Sequence, residues 1–408
     1  MDVMYAQVEQ AQAIQDYPPF RPCVRLVGID AAAFASQAFN DSQGCRTHFI
    51  DIAWDRSFEE AFVRAMHGSL VEEAVTWVRE GMPDDWPDQL WIRLGYTRTP
   101  VVTGAYYYEI FANEDPLDIS IDSIQLLTGS AVTPPPLATT GPIIATSQAF
   151  DLSAFHVGQG MCALLHGAAD GLLLDVGAGV PINRQHYRRW LRAPASGAFT
   201  NELRLRTHGL NLQAIISHPD SDHWRLLDWD PQLFGATRHI FTPAGAPALA
   251  LKSSRAIGRV SSLAGTTTVA NGPFGQPLLK AHRSSPAASD RNGECLVVET
   301  HTGTLGQDHS LFPGDYVYQR MAADGVAAIV GLSSATLDAV MVPHHGDAAS
   351  ASVLPTPRTA QHTAAFFSAG THIGYGHPTA ASISAHATRG FLNIDQHTCA
   401  DILEHRLP

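Results

Sequence analysis

Leu212-Gln213-Ala214-Ile215-Ile216-Ser217-His218-Pro219-Asp220-Ser221-Asp222-His223 is the stretch on which the reading of this chain turns. Its first half is an apolar run of strand length. The second half places four side chains able to bind a metal, His218, Asp220, Asp222 and His223, within six residues. A lone histidine is usually satisfied in a core, and two acids after a proline usually make a turn. Packed together where a buried strand meets solvent, the two carboxylates would repel and raise each other's pKa unless a cation neutralised them. A divalent metal resolves that conflict.

Two further patches repeat the design at the ends of apolar runs. In Leu311-Phe312-Pro313-Gly314-Asp315 a carboxylate follows a glycine that permits close backbone approach. In Val340-Met341-Val342-Pro343-His344-His345-Gly346-Asp347 adjacent imidazoles follow another apolar run. Each alone is a weak signal, since Pro-Gly-Asp is a common turn and His-His-Gly could be a surface loop. Together with the first cluster they supply ligands for two metals.

Four more segments complete an ordered set: Phe155-His156-Val157-Gly158-Gln159-Gly160, Leu174-Asp175-Val176-Gly177, Asn292-Gly293-Glu294-Cys295-Leu296-Val297-Val298 and Tyr375-Gly376-His377-Pro378. In this order the motifs resemble the metallo-β-lactamase superfamily, whose signature is His-x-His-x-Asp-His. Within it they are most similar to the hydrolase domain of ComEC-type competence proteins. The resemblance implies an αββα sandwich over residues 149–408, with the metal site at one edge. It implies that His218 and Asp220 bind a first metal, that Asp222 and His223 bind a second, that Asp315 bridges them and that His344 completes the second site. The third protein ligand of the first site is not identified.

The implied cofactor is one or two divalent ions. Asp220 stands where most of the superfamily has a second histidine, and the oxygen-richer site makes manganese a competitor to zinc. The implied reaction is hydrolysis through a metal-bound hydroxide oriented by Asp222. His377 is expected to donate a proton to the leaving group or a hydrogen bond to a phosphate oxygen. Asp175 would fix a ligand histidine, and Gly158 and Gly160 would let a turn pass close to the site. Trp224, Arg225, His345 and Tyr375 are the candidate substrate-binding residues. Trp224-Arg225 replaces a small, glycine-containing pair, and would either stack on and neutralise a nucleotide or solve a packing problem particular to this chain. Cys295, where that subfamily commonly has serine, reads as a small buried residue.

The expected substrate is a phosphodiester, with nucleic acid as a candidate partner. The series Arg184, Arg188, Arg189, Arg192, with Arg204 and Arg206, would either extend a phosphate-binding face or form an ordinary solvated one. The alternatives are a hydrolase of a small ester, lactone or phosphorylcholine-like group, and a non-catalytic metal-stabilised binding module.

The whole chain bounds these readings. At 408 residues and 45% hydrophobic content it is long enough for two domains and can bury at least one sizeable core. Its formal charge of −13 gives no long-range help in approaching nucleic acid, although a local basic groove is compatible with it. Cys23, Cys45, Cys162, Cys295 and Cys399 are scattered, as reduced thiols are. The start of the chain is acidic, and no run approaches the roughly 18–20 apolar residues a membrane helix needs. A cytoplasmic protein without membrane contact is expected.

Thr128 to Gln148, with Pro134, Pro135 and Pro136, reads as a linker. Before it, residues 1–127 read as a small accessory α+β domain with no chemistry assigned to it. Ser57 with Glu60 and Ser69 with Glu72 make capping boxes that predict two helices, the second stopped at Gly81-Met82-Pro83. Val101 to Phe111, holding Tyr106, Tyr107 and Tyr108, and Ile119 to Leu126 read as strands. After residue 150, short apolar runs separated by Gly, His and Asp predict a many-stranded α/β unit.

Overall fold

The computed structural model describes residues 1–54, 90–138, 144–145, 150–194, 199–287, 292–303, 306–370, 374–395 and 399–408. The strands of the first region are β1 (Asp2–Ile14), β2 (Pro22–Asp30), β3 (His48–Ala53), β4 (Leu90–Arg98), β5 (Ala105–Glu109) and β6 (Leu117–Thr128). They close into an antiparallel barrel in the order β1-β2-β3-β5-β6-β4. Successive residues of a strand face opposite sides. Tyr107 accordingly joins Ile50, Ile92 and Leu94 in one core, while Tyr106 and Tyr108 join the core shared with the rest of the chain. A short helix, α1 (Ala31–Ala35), starts where the Asp30 side chain accepts from the Ala33 N–H. The two helices expected from Ser57 and Ser69 lie outside the described residues.

The second region is built on two sheets. The strands in chain order are β7 (Ile144–Ala145), β8 (Asp151–His156), β9 (Cys162–His166), β10 (Asp170–Val176), β11 (Asn211–Ile215), β12 (Thr237–Pro243) and β13 (Val260–Leu263). They continue with β14 (Thr266–Asn271), β15 (Pro277–Arg283), β16 (Leu296–Thr302), β17 (Asp308–Phe312), β18 (Thr336–Leu337) and β19 (Ala339–Met341). The last are β20 (Thr356–Pro357), β21 (Ala364–Phe367), β22 (Leu392–Asp395) and β23 (Leu403–Leu407). One sheet runs β13-β12-β11-β10-β9-β8-β23 and the other β22-β21-β19-β17-β16-β15-β14-β7, while β18 and β20 pair separately.

Leu152, Leu174, Ile215 and Phe241 of the first sheet bury against Leu279, Val298, Phe312 and Met341 of the second. The far face of the first sheet is covered by α2 (Arg184–Arg192), α3 (Glu202–Thr207), α4 (Arg225–Trp229) and α5 (Pro231–Ala236). Helices α6 (Tyr318–Ala322), α7 (Ala327–Ser333) and α8 (Ala380–Arg389) cover the second sheet over Val297, Leu311, Val340 and Phe367. The result is an αββα sandwich. β10 to β13 run parallel, as do β17, β19, β21 and β22. Loops that follow parallel strands gather at one edge, and that is where open α/β sheets place their ligands.

The proline-rich crossing is pinned to this sandwich: the Ser262 N–H donates to Pro136 and the Ala138 N–H to Ser262, each at 2.8 Å. Among the described residues no helix is long and apolar enough to cross a membrane.

Barrel and sandwich are joined by Trp224 and by the arginines of α2 and α3; of the two roles open to Trp224, packing is the one its position fills, so it does not bind substrate. Trp224 is fully buried; its ring stacks on Phe49 of β3 at 5.5 Å and its indole N–H donates to the Pro219 carbonyl at 2.9 Å. Arg184 is fully buried beside Asp228 at 3.2 Å, its guanidinium 3.8 Å from the centre of the Tyr108 ring. Arg188 donates to the Asn113 and Glu114 carbonyls, and Arg192, Arg204 and Arg206 pair with Asp115, Asp230 and Glu404. A buried guanidinium must place its five donors, and residues 113–115 of the barrel supply acceptors for three of these side chains. Neither a phosphate face nor a free solvated one results.

Trp224→Ala is expected to cost about 3–5 kcal/mol in urea unfolding. A cost below about 1 kcal/mol would mean that the indole is not part of the packed junction. Burial also holds two histidines, His48 and His386, near a pKa of about 4. A folded pKa below the unfolded value gives stability that is complete above about pH 6.5 and is lost as the pH falls toward 4. The loss is about 3 kcal/mol for each ring. Metal-free His386→Gln should therefore lose less stability than the parent between pH 7 and 4, and equal losses would contradict the assignment.

Candidate metal centre

The segment after β11 is held by backbone. The Asp222 carbonyl accepts from the Met161 N–H at 3.2 Å. Gly160 and Gly177, in the loops after β8 and β10, crowd the same oxygen: a Cβ would come within 2.7 Å of it at Gly160 and 1.6 Å at Gly177. Only hydrogen fits there, so these glycines seat the metal-binding segment.

Asp175 sits at a register break in β10 with φ +55°, a left-handed conformation unusual for a residue with a side chain. Its carboxylate accepts from the Ser217 N–H at 2.6 Å, the Ser217 hydroxyl at 2.9 Å and His223 Nδ1 at 2.9 Å. Strain of about 1–3 kcal/mol is the usual cost of such a backbone, offset here by three hydrogen bonds that aim the His223 ring. Gly314, at φ +60°, brings Asp315 in over Ser217, where a Cβ would lie 2.4 Å from the hydroxyl oxygen.

Asp315 is the middle of the site. Its Oδ2 lies 3.6 Å from His218 Nε2 and 3.8 Å from His344 Nε2. Its Oδ1 lies 3.3 Å from His223 Nε2 and 3.7 Å from His345 Nε2. Asp220 Oδ2 joins the first group, 3.4 Å from His218 Nε2. Asp222 joins the second, with Oδ2 3.4 Å from His345 and Oδ1 3.9 Å from His223. The donors thus fall into two sets of three, His218, Asp220, His344 and Asp222, His223, His345, with one carboxylate between them.

This grouping differs from the sequence expectation at two residues. His344, expected to complete the second site, faces the Oδ2 side, where a third ligand was lacking. His345, expected to bind substrate, stands with Asp222 and His223. The cause is the backbone: His344 and His345 have φ of +47° and +54°, and Gly346 follows at +80°. The turn thereby delivers consecutive imidazoles to the two oxygens of Asp315.

Each imidazole is oriented through Nδ1: His218 by the Ser217 hydroxyl at 3.2 Å, His223 by Asp175, His344 by Asp347 at 3.2 Å and His345 by the Ser368 carbonyl at 2.7 Å. Such outer partners are what metal-binding histidines use. The inner atoms, His218 Nε2, His223 Nε2, His345 Nε2 and Asp315 Oδ1, are buried without a hydrogen-bond partner. Buried polar atoms are rarely left so, and ring nitrogens gathered about the two oxygens of one carboxylate fit divalent metal ligation.

Charge tells the same story. Burial pushes the His223 pKa down, but the Asp175 and Asp315 carboxylates outweigh it and hold it well above the ordinary value. For His344 burial is likewise overcome, chiefly by Asp315, and the pKa rises to about 9. Asp315 and Asp222 are held low against burial, Asp315 chiefly by the His223 charge and Asp222 chiefly by the His345 ring 3.4 Å away. The ion-free chain therefore keeps protons where cations would sit.

His377 stands over the two turn histidines, its ring 5.5 Å from that of His344 and 6.3 Å from that of His345. Burial first, then those neighbouring charges, hold it to about 4. Of the two roles expected of it, a hydrogen-bond donor to a phosphate oxygen is the one a neutral ring fills. The Tyr375 hydroxyl accepts from Gln10 Nε2 at 3.1 Å, so that loop touches the barrel.

Beside Asp222 a cavity of about 220 Å³ opens between sandwich and barrel, lined by Gln159 and Arg225 on one side and Gln10, Asp16 and Arg25 on the other. Asp16 pairs with both arginines, at 3.2 Å to Arg25. Arg225 thus reaches the site from a buried position. The barrel residues were not marked by the sequence reading, because nothing in a strand pattern some 200 positions upstream signals contact with the motif.

No family model matches the sequence, and no curated protein matches it at a significant level. Among solved structures, a mutant of the CmlA beta-hydroxylase is 14% identical at a TM-score of 0.35, over 63% of this chain and 54% of its own, so the chain spans about half that protein's length. The metallo-beta-lactamase fold protein YhfI from Bacillus subtilis is 12% identical at 0.33, over 62% of this chain and 100% of its own. A diphosphatase from the PhnP family is 10% identical at 0.30, over 63% and 99%. These likenesses are too remote to assign a role. The fold rests on the chain's own two sheets and two helical layers, which form the αββα sandwich of the metallo-β-lactamase fold with the ligand cluster at one edge.

Proposed function

We propose that this protein is a metal-dependent hydrolase that cleaves phosphodiester bonds, with one zinc or manganese ion on each side of Asp315 and a nucleotide or the end of a nucleic-acid strand as substrate. The observation that carries the reading is the division of six donors about the two oxygens of Asp315, with inner nitrogens left unbonded. Divalent ions so held would lower the pKa of a water and polarise the bond to be broken.

The chain's own groups would do the rest. Asp222 borders both the centre and the cavity, where its carboxylate accepts from the attacking water and orients it. His377 donates to a non-bridging oxygen. Arg225, Gln159 and Gln10 line the cavity with donors suited to phosphate oxygens, whereas an ester or lactone site would be predominantly apolar. The ComEC-like order of motifs favours DNA among phosphodiesters. About 220 Å³ suits one phosphodiester unit rather than the body of a duplex.

The test is hydrolysis of bis-p-nitrophenyl phosphate and of labelled single- and double-stranded DNA by protein loaded with manganese or zinc, beside an Asp222→Ala, His223→Ala variant. Metal-dependent cleavage lost in the variant is the expected result. No turnover of any of these despite stoichiometric bound metal would overturn the phosphodiesterase reading and favour ester or lactone substrates.

A further inference from the structure

The second sheet carries another histidine–carboxylate cluster that the Asp315 centre does not use. Glu299 and His301 are alternate residues of β16 and point to the same face. His309 of β17 lies directly opposite His301, and on the other side Lys280 of β15 lies opposite Glu299, with His282 two residues on. Register alone therefore brings three imidazoles around one carboxylate.

We propose that Glu299, His301 and His309 form a zinc site separate from the Asp315 centre, with His282 holding the second oxygen of the carboxylate. Glu299 Oε2 lies 3.0 Å from His301 Nε2 and 2.9 Å from His309 Nε2, and Oε1 lies 3.2 Å from His282 Nε2. All three rings present the same nitrogen. Bonds of about 2.0–2.1 Å in a tetrahedron set ligand atoms about 3.3 Å apart, and Glu299, His301 and His309 offer one atom each within 4.8 Å of one another, so an ion enters with small side-chain movements and water completes its shell. Two imidazoles and one carboxylate suit zinc better than magnesium or calcium.

Other features fit the same use. The His301 and His309 rings stack at 4.6 Å and 10°, which sets both nitrogens on one side. Their side chains are 23% and 17% exposed, giving an ion a way in, while Glu299 is 9% exposed. His282 Nδ1 is bonded to the Thr266 hydroxyl at 3.0 Å, an outer partner that fixes its ring. Burial works against ionisation of Glu299, but hydrogen bonds from His282, His301, His309 and Lys280 outweigh it, so the carboxylate is charged. Lys280, 3.1 Å from Oε1 and 31% exposed, can yield its place to the ion by turning to water.

The site would clamp β16 and β17 together. The Leu296 N–H at the start of β16 bonds to the Ser217 carbonyl beside the metal-binding segment, so the clamped sheet is the one that carries Asp315.

Zinc content after gel filtration is the test. The His301→Ala, His309→Ala variant is expected to hold one zinc per chain fewer than the parent, with hydrolysis by the Asp315 centre unchanged. Should that variant fail to fold, Glu299→Gln keeps the side-chain shape: zinc should raise the Tm of Asp315→Asn by more than that of Asp315→Asn, Glu299→Gln. Equal zinc content in parent and double-histidine variant, or equal Tm responses, would overturn the proposal and leave the cluster a hydrogen-bonded carboxylate without an ion.

Discussion

Asp315→Asn is expected to lower kcat/KM for a phosphodiester by on the order of 10³-fold, about 4 kcal/mol in the transition state, and to reduce metal content at the same time. The carboxylate offers one oxygen to His218 and His344 and the other to His223 and His345. An amide keeps the volume but has one oxygen and no charge, so it can complete one donor set and not both. It also leaves the buried imidazoles without the anion that holds them. Metal analysis and initial rates on the same preparation check this. A variant with full metal content and parental rates would mean that Asp315 does not bridge.

Gly177→Ala is expected to be nearly as damaging without touching a ligand. The new methyl would lie 1.6 Å from the Asp222 carbonyl oxygen and 2.8 Å from the Met161 nitrogen, both backbone atoms that cannot swing aside. The loop after β10 or the segment carrying Asp222 and His223 must move. Overpacking of this kind costs about 1–3 kcal/mol or more, and a displacement of about 1 Å at a reacting group costs about 10²-fold in rate. Gly235→Ala is the control, since nothing lies within 4 Å of a Cβ there. Urea midpoints and hydrolysis rates of the two variants should diverge; similar values would show that the glycine loop does not seat the site.

Much of the sandwich was legible because buried strands leave continuous apolar runs. Leu212 to Ser217 was read as a strand and is β11 over closely matching residues, and β10 and β21 are among the short apolar runs expected after residue 150. Six of the seven centre residues were named as metal ligands because four of them sit together in sequence and the others end strands in recognisable turns. The sharing of His344 and His345 between the two sides was not legible, since it depends on two consecutive left-handed residues. What Trp224 and the arginines of α2 and α3 pack against was not legible for a different reason. Their partners, Phe49, Tyr108 and residues 113–115, lie on the barrel, and a charge series looks the same whether it meets solvent, phosphate or another surface of the chain.

The central claim is that two cations sit on either side of one carboxylate. Anomalous diffraction from crystals of the manganese- or zinc-loaded protein tests it most directly. The account predicts two peaks flanking Asp315, about 3.5–4 Å apart, one beside His218, Asp220 and His344 and the other beside Asp222, His223 and His345. A fully loaded crystal with a single peak there, or with none, would contradict it.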